Sequence, residues 1–318
     1  MKRRFFLACS ALLPASGHAQ ALPPLIGILR VGSQKGDQFA DVFKRDMARL
    51  GWDDSKTYRT QIAFAQGDQN QLPGLAGELV KAGARVVVAF GNKGVAAAQG
   101  ATKELPIVAM SDDLVAWGLV ASMARPGGNT TGISVMSHEL DSKRLEILHD
   151  IAPQARRVGV LFDEPFVRPG EIDQLKHAAE NLKIELVLIG LQAPRDYASA
   201  MATLAGAKVD AVQFLASPML HALRGRFIEE MNRLRLPAVH EWPETVEEGG
   251  LVSYGPRIEL CYRHVAVLVN KVLKGAKPTD LPIEQPTTFV LAVNSAAARV
   301  IGLPLPEALL LRADVVVD

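Results

Sequence analysis

The sequence predicts an α/β protein of two lobes, each built on a parallel sheet. The chain has 318 residues, which is long enough for two domains that each bury a core of their own. Short apolar runs alternate with longer amphipathic stretches, as in parallel strands joined by helices. This alternation runs through the chain twice, and both series close on a Leu-Pro strand that is followed by a Gly-Gly turn.

The first series covers residues 25–110. Its strands are short apolar runs, and its helices repeat apolar residues every three or four positions. Strands are predicted at 25–29, 59–64, 85–90 and 106–110, and helices at 39–50, 72–81 and 95–102.

The second series covers residues 140–240 and has the same rhythm. Two open sheets of about five strands each account for the length better than one sheet of about ten. Helices are predicted at 140–151, 172–182, 197–205 and 220–234, and strands at 157–162, 184–189, 209–215 and 237–240.

Extended segments follow the two Gly-Gly turns, at 131–134 and 251–255, and we expect the chain to cross between the lobes there. A helix at 260–273 comes next, and the extended stretch 285–294 is a candidate for a third crossing. A final helix at 296–301 and the tail 309–317 complete the chain. Lobes joined by several crossings favour hinge closure around a ligand.

The N-terminus indicates export. Lys2, Arg3 and Arg4 form a basic region, the apolar run from Phe5 to Leu13 follows, and small residues precede a cleavage position after Ala19. The apolar run is too short to span a bilayer. Arg3-Arg4 partly matches a twin-arginine signal, but basic pairs are common in ordinary secretory signals, and we favour the ordinary route. We therefore expect residues 1–19 to be a signal peptide and the mature protein to be periplasmic.

Charge and composition exclude several function classes. The formal net charge is +1, so no strong field draws the chain to nucleic acid, and no nucleic-acid partner is expected. Phosphate-loop and dinucleotide fingerprints are absent, as is metal-ligand spacing of Cys and His, so neither a cofactor nor a metal is expected. Cys261 is the one thiol after cleavage, and its place in an apolar-periodic helix predicts core packing.

Five motifs resemble one known family. They are Ala124–Gly132, Lys143–Leu148, Gly249–Gly255, Gly275–Thr287 and Leu311–Asp314. In this order they resemble the ABC-transporter substrate-binding proteins, whose characterised members include tryptophan- and tyrosine-type binding proteins. The resemblance runs from about residue 25 to the C-terminus. It implies the type I periplasmic-binding-protein fold: two Rossmann-like lobes, three hinge crossovers and a ligand buried between the lobes.

With these crossovers, the expected N-terminal lobe is 20–134 plus 255–287, and the expected C-terminal lobe is 135–254 plus 288–318. We expect an exported monomer without catalysis, and the resemblance implies its role. The protein would capture a small organic ligand, either an amino acid or a related organic acid, and deliver it to an ABC permease in the inner membrane. An aromatic ligand is one option within this class. One alternative is a sensor that presents its closed state to a membrane receptor. The other is a cleft enzyme with paired carboxylates, although no nucleophile elbow supports it.

Candidate ligand-binding residues come from the loops after the strands, because ligands of open α/β sheets bind beyond the carboxyl ends of the strands. In the first lobe, Ser33 either caps the next helix or donates to a ligand. Asn92 and Lys93 lie at the start of a predicted helix, beside glycines. The free backbone amides there suit a ligand carboxylate, and the alternative for Asn92 is to cap the helix. Asp112 either caps a turn or pairs with a ligand ammonium. The set is completed by Ser111 and Ser134.

In the second lobe, Asp163 and Glu164 favour a cationic or polyhydroxy ligand if they face inwards, and solvated turn carboxylates are the alternative. Ser217 either caps a helix or binds. Trp242 either stacks on a planar ligand or packs on the Gly-Gly segment. Tyr254 either reaches the cleft or packs in the hinge. The remaining candidate, directly after the last strand of the series, is Glu241.

Two pairs depart from the family pattern. Asp112-Asp113 stands where members often have Asp-Pro, and Asp163-Glu164 stands where they often have Asn-Pro. These departures lie in candidate cleft loops, so they bear on the identity of the ligand.

Overall fold

The computed structural model describes residues 22–34, 37–168 and 170–318, and the predicted signal peptide lies outside them. The first sheet is entirely parallel, with the strand order β2-β1-β3-β4-β5. Four of its five strands are almost wholly buried, because helices cover both faces of the sheet. Its elements are β1 (Leu25–Arg30), α1 (Phe39–Arg49), β2 (Arg59–Phe64), α2 (Leu72–Lys81), β3 (Ala84–Phe90), α3 (Gly91–Ala101), β4 (Ile107–Ser111) and β5 (Thr130–Ser134).

The second sheet has seven strands in the order β12-β11-β10-β9-β8-β6-β7. Its elements up to the second crossing are α4 (Asp141–Ile151), β6 (Arg157–Asp163), α5 (Glu171–Leu182), β7 (Glu185–Leu191), α6 (Tyr197–Gly206), β8 (Ala211–Phe214), α7 (Pro218–Ala222), α8 (Arg224–Leu234), β9 (Ala238–His240), α9 (Pro243–Glu247) and β10 (Val252–Gly255). The later elements are α10 (Ile258–Leu273), β11 (Val290–Asn294), α11 (Ser295–Ile301), α12 (Glu307–Arg312) and β12 (Val315–Val317).

The chain passes between the sheets three times. It leaves the first sheet after β5, returns after β10 so that α10 packs on α1 and β3–β5, and enters the second sheet again at β11. The chain leaves the second sheet at the end of β10 and re-enters it beside that end at the start of β11, so β11 runs antiparallel to β10. The other neighbouring strands of that sheet are parallel. The predicted parallel sheet therefore holds except for this one pair.

Four predicted elements differ clearly from the structure. The helix expected at 95–102 begins at Gly91, because that residue has φ +71° and lets β3 turn into α3 without a loop. The helix expected at 220–234 is divided into α7 and α8, and α7 begins early because the Ser217 hydroxyl caps the Leu220 amide at 2.9 Å. Of the extended stretch 285–294, only β11 is a strand, and the tail 309–317 contains both helix and strand.

One buried side chain ties the first two crossovers together. The Arg144 guanidinium, on α4, has no solvent exposure. Its Nε donates to the Tyr254 carbonyl at 2.8 Å, and its Nη1 donates to the Ser137 carbonyl at 2.9 Å and to the Asp141 carboxylate at 2.7 Å. Its Nη2 donates to the Ser137 hydroxyl at 2.8 Å. Ser137 belongs to the first crossover and Tyr254 to the strand that starts the second, so this one group joins both.

Gly255 allows the close packing at this point. A Cβ atom at residue 255 would lie 2.1 Å from the Glu241 carbonyl and 3.3 Å from Arg144 Nη2. Only glycine therefore lets β10 pass this closely beside the end of β9 and the guanidinium.

Among the described residues, no helix is long and apolar enough to cross a membrane.

We expect Arg144→Ala to lower the free energy of unfolding by about 3–5 kcal/mol, because it leaves the Asp141 carboxylate buried without its partner. Urea denaturation followed by circular dichroism measures this. The matched control is Lys143→Ala, which removes only an exposed pair with Glu146 and should change stability by about 0.5 kcal/mol or less. Equal losses in the two variants would contradict the hinge role.

Candidate ligand-binding cleft

A cavity lies where the carboxyl ends of both sheets face each other. Its volume is about 110 Å³, whereas a single water needs roughly 10–15 Å³ on the same measure, so the cavity has room for a small organic molecule. Every strand end that reaches it is the carboxyl end, as expected for open α/β sheets. The residues that line it from the segments that follow β1, β3, β4, β6, β8 and β9 include Ser33, Gly91, Asp112, Phe166, Ser217 and Glu241.

One wall of the cavity is aromatic and holds an ion pair. Arg30 Nε is 2.6 Å from the Asp37 carboxylate, and Arg30 Nη2 donates to the Tyr262 hydroxyl at 3.3 Å. The guanidinium carbon lies 4.1 Å from the centre of the Phe90 ring and 5.6 Å from that of Tyr262. Phe39 closes the stack and packs edge-on against both rings. The positive charge of Arg30 is therefore neutralised within the wall by Asp37 and the aromatic rings, and both charged residues belong to the cavity lining.

Polar contacts join the lobes on either side of the cavity. Arg224 makes a bidentate pair with Glu248 at 2.7 and 2.8 Å, and Gln38 of the first lobe donates to the same carboxylate at 3.2 Å. Arg168 of the second lobe donates to the Asp113 carboxylate of the first at 3.0 Å. The structure therefore shows the lobes in contact across the cleft.

Carboxyl groups gather at the hinge side of the cavity. Asp112 accepts hydrogen bonds from the Ser137 amide at 2.6 Å and the His138 amide at 3.3 Å, and its second oxygen lies 2.5 Å from His138 Nδ1. Burial opposes the charged imidazole of His138, but the hydrogen bond to Asp112 and its charge raise the pKa of that histidine. Burial raises the pKa of Glu241 to about 8, against the opposing effects of Arg144 and the Ser137 hydroxyl.

Polar side chains without a negative charge also line the cavity. The Ser111 hydroxyl is buried in the lining and has no hydrogen-bond partner among the described residues. Ser33 and Ser217 also line the cavity, and Ser217 accepts the cap from Leu220. Burial and the charge of Arg224 lower the pKa of His221 well below its usual range, so this imidazole is neutral.

Half of the predicted site residues line the cavity. These are Ser33, Ser111, Asp112, Ser217, Glu241 and Trp242. Trp242 is 6% exposed and belongs to the same apolar cluster as Phe39, Phe90 and Tyr262, although it comes from the second lobe. It therefore contributes an apolar surface that connects the two lobes.

The other six candidates lie around the cavity and do not line it. Lys93 is exposed, and Asn92 is buried with its Oδ1 accepting from the Lys93 amide. Ser134 accepts a hydrogen bond from the Leu114 amide. Tyr254 packs at the hinge, with its ring 6.3 Å from that of Phe289.

The Asp163-Glu164 pair points in two directions. Asp163 is 1% exposed, and burial raises its pKa to about 7. Glu164 is exposed, accepts from the Gln192 side chain at 3.0 Å and does not line the cavity. The two adjacent carboxylates therefore do not act together on one ligand.

Several lining residues are absent from the sequence-based set. Two of them, Arg30 and Phe90, are the last residues of β1 and β3, and the strand-end rule would have found them. The sequence carried no signal for Tyr262 and Arg224, because they come from helices that tertiary packing brings to the cleft. The lining residues that the sequence-based set omits include Arg30, Asp37, Phe90, His221, Arg224 and Tyr262.

No metal centre accompanies this cleft in the part of the chain that the structure describes, because nowhere there do three or more His, Cys, Asp or Glu side chains form a suitable group. Cys261 is a buried free thiol on α10, and burial raises its pKa to about 12. The thiol packs in the apolar core of the first lobe.

Known proteins resemble this chain in both sequence and fold. The "Tyrosine-binding protein" of Clostridioides difficile is 25% identical over 244 residues, which is 76% of this chain and 70% of that protein. The crystal structure of an ABC domain in complex with L-Trp from Streptococcus pneumonia has a TM-score of 0.80 at 23% identity and covers 93% of this chain and 100% of that one.

A conserved domain protein from Vibrio cholerae has the same TM-score of 0.80 at 24% identity, covering 92% of this chain and 99% of that chain. The predicted type I periplasmic-binding-protein fold with two lobes is thereby confirmed. The model of the family described as "ABC transporter substrate binding protein" matches residues 33–317. The chain belongs to the ABC transporter substrate-binding protein family.

Proposed function

We propose that this chain is an exported solute-binding protein that captures an amino acid or a related organic acid and delivers it to an ABC importer in the inner membrane. The observation that carries this proposal is the cavity between the two lobes, with aromatic walls and a few convergent polar groups from both sides. Such a lining is typical of small-molecule sites.

The chemistry of the lining favours a ligand with an aromatic or bulky apolar group. Phe90, Phe166, Trp242 and Tyr262 offer ring surfaces, on which a planar group gains favourable offset or edge contacts. The Ser111 hydroxyl is free to donate to a carboxylate. The relatives described as binding tyrosine and tryptophan support the same ligand class.

Closure of the lobes would carry the signal to the transporter. We propose that 20–134 with 255–287 forms one moving lobe, and 135–254 with 288–318 forms the other. A ligand that contacts both lobes favours the closed state by its differential affinity, and the permease recognises that state. The contacts of Arg168 with Asp113 and of Gln38 with Glu248 would form on closure.

Export, monomeric state and lack of catalysis belong to the same proposal. The basic and apolar N-terminus supports removal of residues 1–19 and a periplasmic location. Membership of a substrate-binding family supports a role in binding and not in chemistry. The near-neutral charge supports a small-molecule partner over nucleic acid.

L-Tryptophan, L-tyrosine and L-phenylalanine are expected to raise the melting temperature, because a ligand that binds only the folded form stabilises it by about 2.7 kcal/mol at a hundred times its dissociation constant. Calorimetry and thermal shift measure this. If neither these ligands nor a wide panel of other amino and organic acids changed the melting temperature or gave a heat of binding, solute capture would be contradicted.

Binding should also change the fluorescence of Trp242, which lines the cavity. We expect Trp242→Phe to abolish the change that L-phenylalanine induces in the intrinsic fluorescence. Trp52→Phe is the control, because Trp52 donates to Asn270 at 3.0 Å on the outer side of the first lobe. If Trp52→Phe removed the signal and Trp242→Phe kept it, the ligand would lie elsewhere.

Gly91→Ala should weaken binding about tenfold or more by holding the lobes apart. A Cβ atom there would lie 3.1 Å from Cγ of Pro218 in the other lobe, and φ of +71° adds strain. Calorimetry gives the affinity, and small-angle scattering with ligand present gives the compactness. Gly94→Ala on the same helix meets nothing within 4 Å and should retain wild-type affinity. Unchanged binding in Gly91→Ala would contradict closure at this contact.

A further inference from the structure

The hinge side of the cavity holds more carboxyl groups than bases. Asp112, Asp141 and Glu241 lie close enough to interact electrostatically, and the bases among them are Arg144 and His138. With His138 charged, these three carboxyls outnumber the two bases by one, and Glu171, which interacts with Asp112, Asp141 and His138, adds a further carboxyl. The cluster therefore has room for more negative than positive charge in a largely buried place. Such a charge is costly unless a proton or another cation balances it.

Direct contacts assign two of the carboxyls to the two bases. Asp141 is 2.7 Å from Arg144 Nη1, and Asp112 is 2.5 Å from His138 Nδ1. The hydrogen bonds of Arg144 go to Ser137, Asp141 and Tyr254. Glu241 has the Ser137 hydroxyl as its hydrogen-bond donor, and it alone of the three lines both the main cavity and the small cavity of about 30 Å³ behind Trp242.

Other charged or titratable groups near Glu241 are committed to different partners. Arg30 pairs with Asp37, and Arg224 makes its bidentate pair with Glu248. His221 is neutral, and the buried thiol of Cys261 stays protonated.

Next to the cluster, Arg168 pairs with Asp113 at 3.0 Å and lies 3.9 Å from Glu171. It therefore already faces two carboxyls of its own. Among the described residues, Glu241 is the carboxyl of this cluster that lines the cavity without a salt bridge.

We propose that Glu241 determines ligand class by selecting compounds that carry a protonated amine, and that binding of such a compound releases one proton from the cleft. The inference rests on the proposed function and narrows it from amino or organic acids to amines. In the empty cleft Glu241 is a neutral carboxylic acid. In the complex it is a carboxylate paired with the ligand ammonium, and its proton has passed to the solvent, so charge and atoms balance.

The direction of the pH dependence follows from this exchange. The free acid holds its proton up to about pH 8. Below that pH each bound amine must displace a proton, so the association constant should rise about tenfold per pH unit and level off above pH 8. A des-amino analogue has no ammonium to pair with a carboxylate, so it binds only while Glu241 is protonated. Its affinity should therefore be independent of pH below 8 and weaken above it.

Isothermal titration calorimetry at pH 6.5, 7.5 and 8.5, in buffers of different ionisation enthalpy, measures the protons released. We use L-tryptophan and its des-amino analogue indole-3-propionate. L-Tryptophan should release close to one proton at pH 6.5 and clearly less at pH 8.5, and it should bind more than tenfold tighter than the analogue at pH 7.5. The analogue should release none.

Glu241→Gln should abolish the proton release and most of the preference for L-tryptophan. The matched control is Glu244→Gln, a buried acid of the adjacent helix α9 that lines neither cavity and accepts from the Ile258 amide. This variant should keep the proton release. Tight binding of L-tryptophan without proton release, or equal binding of the analogue, would overturn the role of Glu241 and leave solute capture intact.

A ligand-free measurement separates this inference from the proposed function. Burial raises the pKa of Glu241 in the folded protein above its value in the unfolded chain. The stability of the folded protein is therefore highest below the unfolded pKa and falls as the pH rises towards 8. Wild-type protein should therefore lose more stability between pH 5 and 8.5 than Glu241→Gln does in urea denaturation. If wild-type protein and Glu241→Gln lost the same stability over this pH range, the inference that Glu241 is protonated in the empty cleft would be wrong, whichever ligand binds.

Discussion

The packing of the hinge depends on the burial of one guanidinium. Arg144 has no exposure, and its hydrogen bonds join the start of α4, the first crossover and the strand before the second. A cation without solvent must have its donors satisfied within the protein, so the backbone carbonyls of Ser137 and Tyr254 are held in place. These hydrogen bonds hold the first two crossovers beside one another.

The same guanidinium shapes the chemistry of the cleft. It pairs with Asp141 and donates to the Ser137 hydroxyl, which in turn donates to Glu241. Its hydrogen-bond acceptors among the described residues are Ser137, Asp141 and Tyr254, and do not include Glu241. The opposite wall is arranged differently, because Arg30 and Asp37 neutralise each other beside aromatic rings. The cavity therefore has an apolar side without net charge and a hinge side with a surplus acid, and this polarity suits a ligand with one charged and one apolar end.

Elements with strong local signals were predicted closely. The bounds of β2 and α2 coincide with the predicted ones, and those of β1, α1 and β4 differ by a residue. Errors fell where a local signal was ambiguous: Gly91-Asn92-Lys93-Gly94 has the composition of a loop and forms the first turn of α3. The rule that strand ends form the site led to Asp112, Ser217, Glu241 and Trp242, all of which line the cavity.

The sequence by itself determined the strand and helix alternation, the two-lobed α/β fold and the loops that face the cleft, because these follow from periodicity and from the position of residues relative to strand ends. Only the tertiary structure decided which side chains of those loops turn inwards, because neighbours such as Gln192 and Ser137 draw Glu164 away and hold Glu241 in place. It also decided the contribution of Tyr262 and Arg224, since these residues come from helices whose distance from the cleft depends on long-range packing.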